Sequence, residues 1–314
     1  MMLGKLLIAL GLLLIVGGAV TLWRAAQQEA RAEAAFPPSG AFLDVDGTRV
    51  HYLEKGEGPA VILIHGASGN LRDMSFSLVD RLSETYRVIA FDRPGLGYTD
   101  VISDMSITGQ ARLLAKAARQ LGAEAPLLVG QSYGGAVAKA WALEHPAAAL
   151  VTLGSPALPW DTPLPRLYQI NTHPVIGPLA IPLLAAWVPE SYVQKAIEEV
   201  FLPQPEPPGY ADHIGAPLSL RRTSLRANAM QRAALLSEIA QLEPRWETLT
   251  LPIELVHGEA DTTVGLTIHS EPLAARLPNA NLTALPGIGH MPHHVAQDTV
   301  VAAIDRAATR AGLR

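Results

Sequence analysis

The chain of 314 residues contains no cysteine. This absence excludes disulfide bonds, a thiolate nucleophile and a cysteine-based zinc site. It does not identify a compartment, because a cysteine-free chain tolerates reducing and oxidising surroundings alike. Charge is also sparse, since charged residues make up 17% of the chain and the formal net charge is −5. No basic patch is present, which argues against nucleic acid as a partner.

Hydrophobic residues make up 49% of the chain, a globular composition that leans apolar. A chain of this length can bury one large core. We therefore expect one soluble domain with an inserted subdomain, preceded by an N-terminal segment that is not part of the core.

The N-terminal segment is apolar and carries no charge over residues 6–23. As a helix this stretch rises about 27 Å, close to the roughly 30 Å of a hydrocarbon core. We interpret residues 1–23 as an uncleaved membrane anchor, with the N-terminus inside and the catalytic domain extracytoplasmic. The alternative is a signal peptide cut at a small-residue pattern within residues 30–34, which would release a secreted protein. Residues 24–40 are predicted to form a linker.

From residue 41 onward, short apolar runs alternate with helical patterns. An Asp46-Gly47 turn predicts an initial β-hairpin. Buried strands are predicted over residues 60–64, 88–91, 126–129, 150–153, 253–256 and 281–285. Alternation of strands and helices is typical of a doubly wound, mostly parallel α/β sheet. We assign residues 41–156 and 245–314 to this core.

The alternation is interrupted over residues 157–244, where proline is frequent and only helical patterns occur. A helical block inserted into an α/β sheet is most simply a lid over the carboxyl edge of the sheet, where open α/β sheets bind ligands. The predicted architecture is therefore a doubly wound sheet with a helical lid, behind an N-terminal transmembrane helix.

A Gly-x-Ser-x-Gly motif, Gly130-Gln131-Ser132-Tyr133-Gly134, follows a predicted buried strand and opens a predicted helix. This setting is that of a nucleophile elbow, where a sharp turn presents the serine and the flanking glycines avoid clashes. The motif alone also arises by chance, as a glycine-rich turn with an incidental serine. Its position between strand and helix carries the prediction that Ser132 is the nucleophile.

A serine nucleophile needs a general base, and the base needs an acid that orients it. His290 ends the run Gly287-Ile288-Gly289-His290, directly after the predicted strand at residues 281–285. Asp261 lies just past the predicted strand at residues 253–256. We predict His290 as the base and Asp261 as the acid, in the chain order Ser, Asp, His.

Neighbouring residues leave alternatives open. Glu259 and Asp161 compete with Asp261 for the role of the acid, and His293 and His294 compete with His290 for that of the base. A metal site formed by the three histidines is a further alternative, although three histidines without a carboxylate in register are an unusual catalytic set. No cofactor is predicted.

The loop His65-Gly66-Ala67-Ser68 directly follows the predicted strand at residues 60–64. Such a loop can direct a backbone N–H toward a developing oxyanion, and the second donor is the N–H of the residue after the nucleophile. We predict that the amides of Ala67 and Tyr133 form the oxyanion hole. His65 is predicted to brace loops and not to act as a base.

Together with Asp92-Arg93-Pro94-Gly95-Leu96-Gly97-Tyr98 and His257-Gly258-Glu259-Ala260-Asp261, these motifs occur in an order that resembles the α/β-hydrolase superfamily. The resemblance covers the chain from about residue 42 onward, and it points to the branch with a helical cap inserted after the sixth strand. It implies that the stretch at residues 92–98 is a structural turn. Epoxide hydrolases and haloalkane dehalogenases of this branch carry Asp at the elbow, so Ser132 argues against alkyl-enzyme chemistry. Esterases, lipases and cofactor-free haloperoxidases remain.

The expected function is a serine hydrolase that cleaves carboxylic esters through an acyl-enzyme on Ser132. An apolar lid behind a membrane anchor favours lipid-like acyl esters. The alternatives are a C–C bond or amide hydrolase that uses the same triad, and a non-catalytic, membrane-tethered binding module. The predicted partners are a small-molecule acyl substrate and the membrane, and the sequence indicates no oligomeric state.

Overall fold

A computed structural model describes residues 2–314. Eight strands form one sheet: β1 (Ala41–Val45), β2 (Thr48–Lys55), β3 (Ala60–Ile64), β4 (Arg87–Phe91), β5 (Leu127–Gln131), β6 (Ala149–Leu153), β7 (Ile253–Gly258) and β8 (Ala280–Leu285). Their order across the sheet is β1-β2-β4-β3-β5-β6-β7-β8. The β1–β2 and β2–β4 pairs are antiparallel, and the other pairs are parallel. The predicted mostly parallel α/β sheet is confirmed.

Helices cover both faces of the sheet. They are α2 (Leu71–Ser77), α3 (Val79–Leu82), α4 (Ile107–Gln120), α5 (Tyr133–Glu144), α11 (Ser270–Arg276), α12 (Pro292–Val295) and α13 (Gln297–Arg310). Strand β3 shows why two layers form, since its side chains alternate between faces. Ile62 and Ile64 pack into a core with α4 and α5, whereas Val61 and Leu63 pack into a second core with α2, α3 and α13. A continuous apolar strand is therefore buried on both sides.

Residues 157–244, hereafter the helical insertion, connect β6 to β7. The insertion contains α6 (Arg166–Thr172), α7 (Gly177–Trp187), α8 (Glu190–Phe201), α9 (Tyr210–Ile214) and α10 (Arg222–Leu242), with a short 3-10 segment before α10. No residue of the insertion, all of which is described, belongs to a strand. Helical patterns over residues 190–200 and 225–242 of the sequence match α8 and α10 closely. The sequence did not resolve α6 and α7, because prolines flank α6 and lie within α7.

The N-terminal helix α1 (Met2–Ala35) is longer than the predicted anchor and differs from the expected linker. It continues without a break through residues 24–35. This part is rich in Ala, Glu, Gln and Arg, which favour helix. It also packs on the insertion: Ala25 and Ala32 are buried, and Glu29 forms an ion pair with Arg222 at 2.8 Å. Residues 2–20 make α1 a candidate membrane span, because they are apolar and almost wholly exposed.

Candidate active site

Ser132 stands between the end of β5 and the start of α5, at the carboxyl edge of the sheet. Its backbone has φ 50° and ψ −119°, a conformation that non-glycine residues seldom adopt and that surrounding structure must hold in place. The Ser132 amide donates to the carbonyl of Leu153 in the neighbouring strand β6 at 2.8 Å. The turn therefore has the strained geometry of a nucleophile elbow.

The two glycines of the motif are required by close approach. A Cβ at Gly130 would overlap the carbonyl of Gly134, and a Cβ at Gly134 would overlap the carbonyl of Ile64 in β3. The prediction that side chains two residues before and after Ser132 would clash is confirmed. Because the backbone segments before and after Ser132 are in close contact, α5 can begin at the residue that follows the serine.

His290 and Asp261, which follow β8 and β7, meet at the same edge of the sheet. The His290 Nδ1 donates to Asp261 Oδ2 at 2.7 Å, and both side chains are buried. The loop of His290 lies beside the elbow, because the side-chain Nε2 of Gln131 donates to the His290 carbonyl at 3.3 Å. Ser132 and His290 line one cavity. The structure therefore brings the predicted nucleophile, base and acid to one site.

Asp261 is held by more than His290. The amides of Thr263 and Val264 donate to its Oδ1 at 2.8 and 2.9 Å, and His257 Nε2 lies 3.3 Å from its Oδ2. Burial alone would raise the pKa of Asp261, but the hydrogen bonds from His257 and His290 outweigh burial and hold that pKa well below its usual value. Asp261 is therefore a carboxylate at neutral pH, and it fixes the Nδ1–H tautomer of His290.

The competing residues lie elsewhere. Glu259 and Asp161 are exposed. His293 and His294 turn away from Asp261 and contact Asp73 of α2, with Nε2 to carboxylate distances of 3.1 and 2.9 Å. The three histidines proposed as an alternative metal site therefore do not share a partner.

Asp73, His293 and His294 form a buried cluster of their own. Their ligand atoms lie within 4.8 Å of one another, but each is engaged in a hydrogen bond, and the Tyr210 hydroxyl also donates to Asp73 at 2.8 Å. Burial lowers the pKa of His294 to about 4, so this imidazole is neutral at neutral pH. We interpret the cluster as a structural brace between α2, α12 and the insertion. No local pattern in the sequence predicts the contacts of these histidines with Asp73.

Of the two predicted oxyanion donors, Ala67 lines the cavity, and Tyr133 directly follows the cavity-lining Ser132. Among residues 2–314, the Ala67 amide has no hydrogen-bond acceptor, and Tyr133 is the first residue of α5, whose amide has no acceptor within the helix. Arg93 is buried beneath this loop. It donates to the carbonyls of His65 and Gly66 at 3.0 and 2.9 Å and lies over the ring of Tyr133. Arg93 thus contacts both segments that carry the predicted oxyanion donors, the loop after β3 and the start of α5.

His65 takes part in the same brace. Its Nε2 accepts a hydrogen bond from the Arg93 amide at 3.0 Å, and its Nδ1 lies 2.9 Å from the Gly66 carbonyl. Burial and the adjacent guanidinium lower the pKa of His65 to about 4. Both ring nitrogens are occupied by the backbone, which agrees with a structural role.

The cavity has a volume of about 1010 Å³ and lies between the sheet edge and the helical insertion. Its walls from the insertion are largely apolar and come from several helices: Leu167, Leu184, Val188, Val193, Ile197 and Leu236. Two polar side chains of α10, Asn228 and Arg232, also line it. Neither residue is predicted from the sequence, because helix α10 contains no motif that would show which of its residues face a site.

The chain is similar to known proteins in sequence and in fold. Residues 59–297 match the family described as alpha/beta hydrolase fold. A 2-hydroxy-6-oxo-6-phenylhexa-2,4-dienoate hydrolase of Comamonas testosteroni is 36% identical over 33% of this chain and 38% of its own length. The chain spans only 31% and 11% of the length of two further curated relatives.

Solved structures show the same fold. An esterase from Thermogutta terrifontis superposes with a TM-score of 0.69 at 20% identity, over 87% of this chain and 99% of the esterase. A bacterial membrane phospholipase A superposes with a TM-score of 0.62 at 22% identity, over 97% of this chain and 99% of the phospholipase. The family match, which spans most of the chain, establishes that this protein belongs to the alpha/beta hydrolase fold family.

Proposed function

We propose that the protein is a serine hydrolase that cleaves carboxylic esters through an acyl-enzyme on Ser132. The observation that carries this proposal is the strained turn at Ser132, which lines the same cavity as His290, the imidazole that is hydrogen-bonded to Asp261. A strained backbone conformation persists only where the surrounding structure holds it, and such conformations cluster at active sites. The strain at Ser132 therefore supports a catalytic role for this residue.

The proposed reaction has two steps. His290 Nε2 removes the Ser132 proton as the hydroxyl oxygen attacks the acyl carbon, and Asp261 stabilises the resulting imidazolium. His290 then gives this proton to the leaving alcohol. In the second step, a water molecule attacks the acyl-enzyme by the same route and releases the acid. The amides of Ala67 and Tyr133 stabilise the oxyanion in both steps, a contribution of about 3 kcal/mol per donor.

The cavity supports an apolar acyl substrate. Its volume is at the upper end of the range for small-molecule sites, and its insertion walls are mainly aliphatic. Medium-chain or lipid-like acyl esters fit these walls better than acetyl esters, because each buried methylene contributes about 0.8 kcal/mol. Resemblance to a membrane phospholipase A agrees with this substrate class.

We also propose that α1 is an uncleaved anchor and that the catalytic domain is extracytoplasmic. Residues 2–20 would span about 28 Å as a helix, close to a hydrocarbon core. The rest of α1 contributes to the folded domain, through the Glu29–Arg222 and Glu33–Arg221 ion pairs. Cleavage within residues 30–34 would remove Glu29 and its ion pair, which supports retention of the segment.

The full chain in detergent should hydrolyse p-nitrophenyl esters, with higher kcat/KM for octanoyl than for acetyl esters. A fluorophosphonate should abolish this activity and add its mass to the tryptic peptide spanning residues 120–139, in which Ser132 is the sole serine. Label on any other peptide would contradict the assignment of the nucleophile. A folded chain that neither reacts nor hydrolyses would favour the non-catalytic binding module.

Arg232 supports a second candidate, hydrolysis of a C–C bond in a substrate that carries a carboxylate. Arg232 lines the cavity, and a guanidinium is suited to pair with such a group. If this candidate is correct, Arg232→Ala should raise KM for 2-hydroxy-6-oxo-6-phenylhexa-2,4-dienoate by about 10-fold or more, the effect of losing a paired charge, and leave KM for a neutral ester unchanged. Equal effects on both substrates would contradict it.

A further inference from the structure

Helix α7 of the insertion carries large apolar side chains on an exposed face. Leu179, Leu183 and Trp187 are spaced four residues apart and therefore lie in one row. They are 68%, 52% and 48% exposed, while Ile181 and Ala185 on the opposite face are buried. Val175 and Ile176, just before the helix, extend the exposed surface. We refer to the row Leu179, Leu183 and Trp187 as the α7 stripe.

The sequence around the stripe lacks charge. No Asp, Glu, Lys or Arg occurs over residues 167–189, the longest such run outside the N-terminal segment. An amphipathic helix at a water-facing surface normally carries charged residues on its outer face. Exposure of this apolar face of the insertion to water is therefore unfavourable.

The stripe is fixed next to the candidate membrane span. Trp187 Nε1 donates to the Thr21 hydroxyl at 3.2 Å, and the Arg24 guanidinium lies 4.5 Å from the centre of the Trp187 ring. Arg24 also donates to the carbonyl of Ala186 at 2.7 Å, and Ala185 packs on Ala25. The end of α7 thus meets α1 directly after its exposed apolar segment.

This meeting point has the features of a membrane–water boundary. Arg24 is the first charged residue of α1 after Lys5, and Trp23 beside it is 64% exposed. Tryptophan is enriched at the level of lipid headgroups, where its ring is partly buried and its N–H is satisfied. Trp23 and Trp187 lie at this level together, and Leu183 is one helical turn, about 6 Å, from Trp187.

We propose that the α7 stripe is a second membrane contact, which lies in the headgroup region of the bilayer that α1 enters. The occupant is lipid, because the stripe continues the apolar surface of the span. This inference rests on the proposed anchor and not on the proposed chemistry. Amphipathic segments of this kind bury their apolar face about 5–10 Å into the interface.

The stripe also borders the cavity. Leu184 and Val188 line the cavity wall, while their neighbours Leu183 and Trp187 face outward. Only the thickness of the α7–α8 corner therefore separates the apolar cavity from the proposed lipid surface. The proposed lipid surface therefore lies on the outer side of the cavity wall.

The absence of cysteine allows one spin label at a time to test the proposal. Leu183→Cys, Leu179→Cys, Ile15→Cys and Val101→Cys would be labelled in the full chain and reconstituted in vesicles of phosphatidylethanolamine and phosphatidylglycerol. Collision of the spin label with oxygen indicates that the label lies in the hydrocarbon region. Collision with a water-soluble nickel chelate indicates that the label is exposed to water. Ile15 is the reference for the span, and Val101, a 52% exposed apolar residue outside the insertion, is the matched control.

We expect the ratio of oxygen to nickel accessibility at Leu183 and Leu179 to exceed that at Val101 several-fold and to approach that at Ile15. A ratio equal to that at Val101 would overturn the proposal. Low accessibility to both reagents would also overturn it, since that result indicates burial against a second copy of the chain. Nickel access at Ile15 would show that the anchor itself is absent, whatever the outcome of the esterase assays.

Discussion

Ser132→Ala is expected to lower kcat/KM for p-nitrophenyl esters by about 10⁵-fold or more, because the proposed mechanism forms the acyl-enzyme on the Ser132 hydroxyl. Residual activity above the uncatalysed rate would come from the oxyanion donors and from substrate binding. Alanine removes one oxygen from a partly buried side chain, so the thermal midpoint of unfolding should change by only a few degrees. Steady-state kinetics and a thermal melt of the same preparation check both parts.

Ser219→Ala is the matched control for this substitution. Ser219 also lines the cavity, but it lies in the insertion and its hydroxyl donates to the carbonyl of Ser68 at 2.5 Å. This variant should keep kcat within about fivefold of the wild-type value, since Ser219 takes no part in the proposed reaction and loss of one partly exposed hydrogen bond costs only about 1 kcal/mol. Comparable losses in both variants would mean that cavity polarity, and not a nucleophile at residue 132, governs the rate.

Much of the fold was accessible from the sequence because apolar strands and loop glycines are local signals. The run at residues 60–64 predicted β3 with its bounds, and the elbow glycines predicted a close backbone approach that the structure contains. The triad candidates followed from a topological rule, that loops after parallel strands meet at one edge of the sheet. The positions of the candidates after successive strands therefore predicted that their side chains would lie close together.

The features that the sequence did not predict depend on contacts between distant parts of the chain. Asp73 and His294 are separated by 221 residues, and no local pattern links them. The extension of α1 to Ala35 was missed for a related reason. An alanine-rich stretch after an apolar helix is compatible with both linker and helix, and its packing against the insertion decides between them.

Asp261→Asn is expected to lower kcat for the preferred ester by about 10³–10⁴-fold while leaving KM nearly unchanged. Asp261 Oδ2 accepts the Nδ1 proton of His290, so the lone pair of Nε2 is free to take the Ser132 proton. An asparagine amide can donate to Nδ1, which places the imidazole proton on Nε2 and removes the base. The neutral amide also fails to stabilise the imidazolium that forms during attack.

Glu259→Gln is the control, because Glu259 is the nearest competing carboxylate in sequence and its side chain is exposed. This change removes one charge, as Asp261→Asn does, and it should leave kcat within about twofold, as for most surface substitutions. A large loss in Glu259→Gln with little loss in Asp261→Asn would transfer the role of the acid to Glu259. Equal, small losses in both variants would mean that His290 works without an orienting carboxylate. That result would contradict the proposed mechanism, because the 2.7 Å hydrogen bond to Asp261 selects the tautomer of His290.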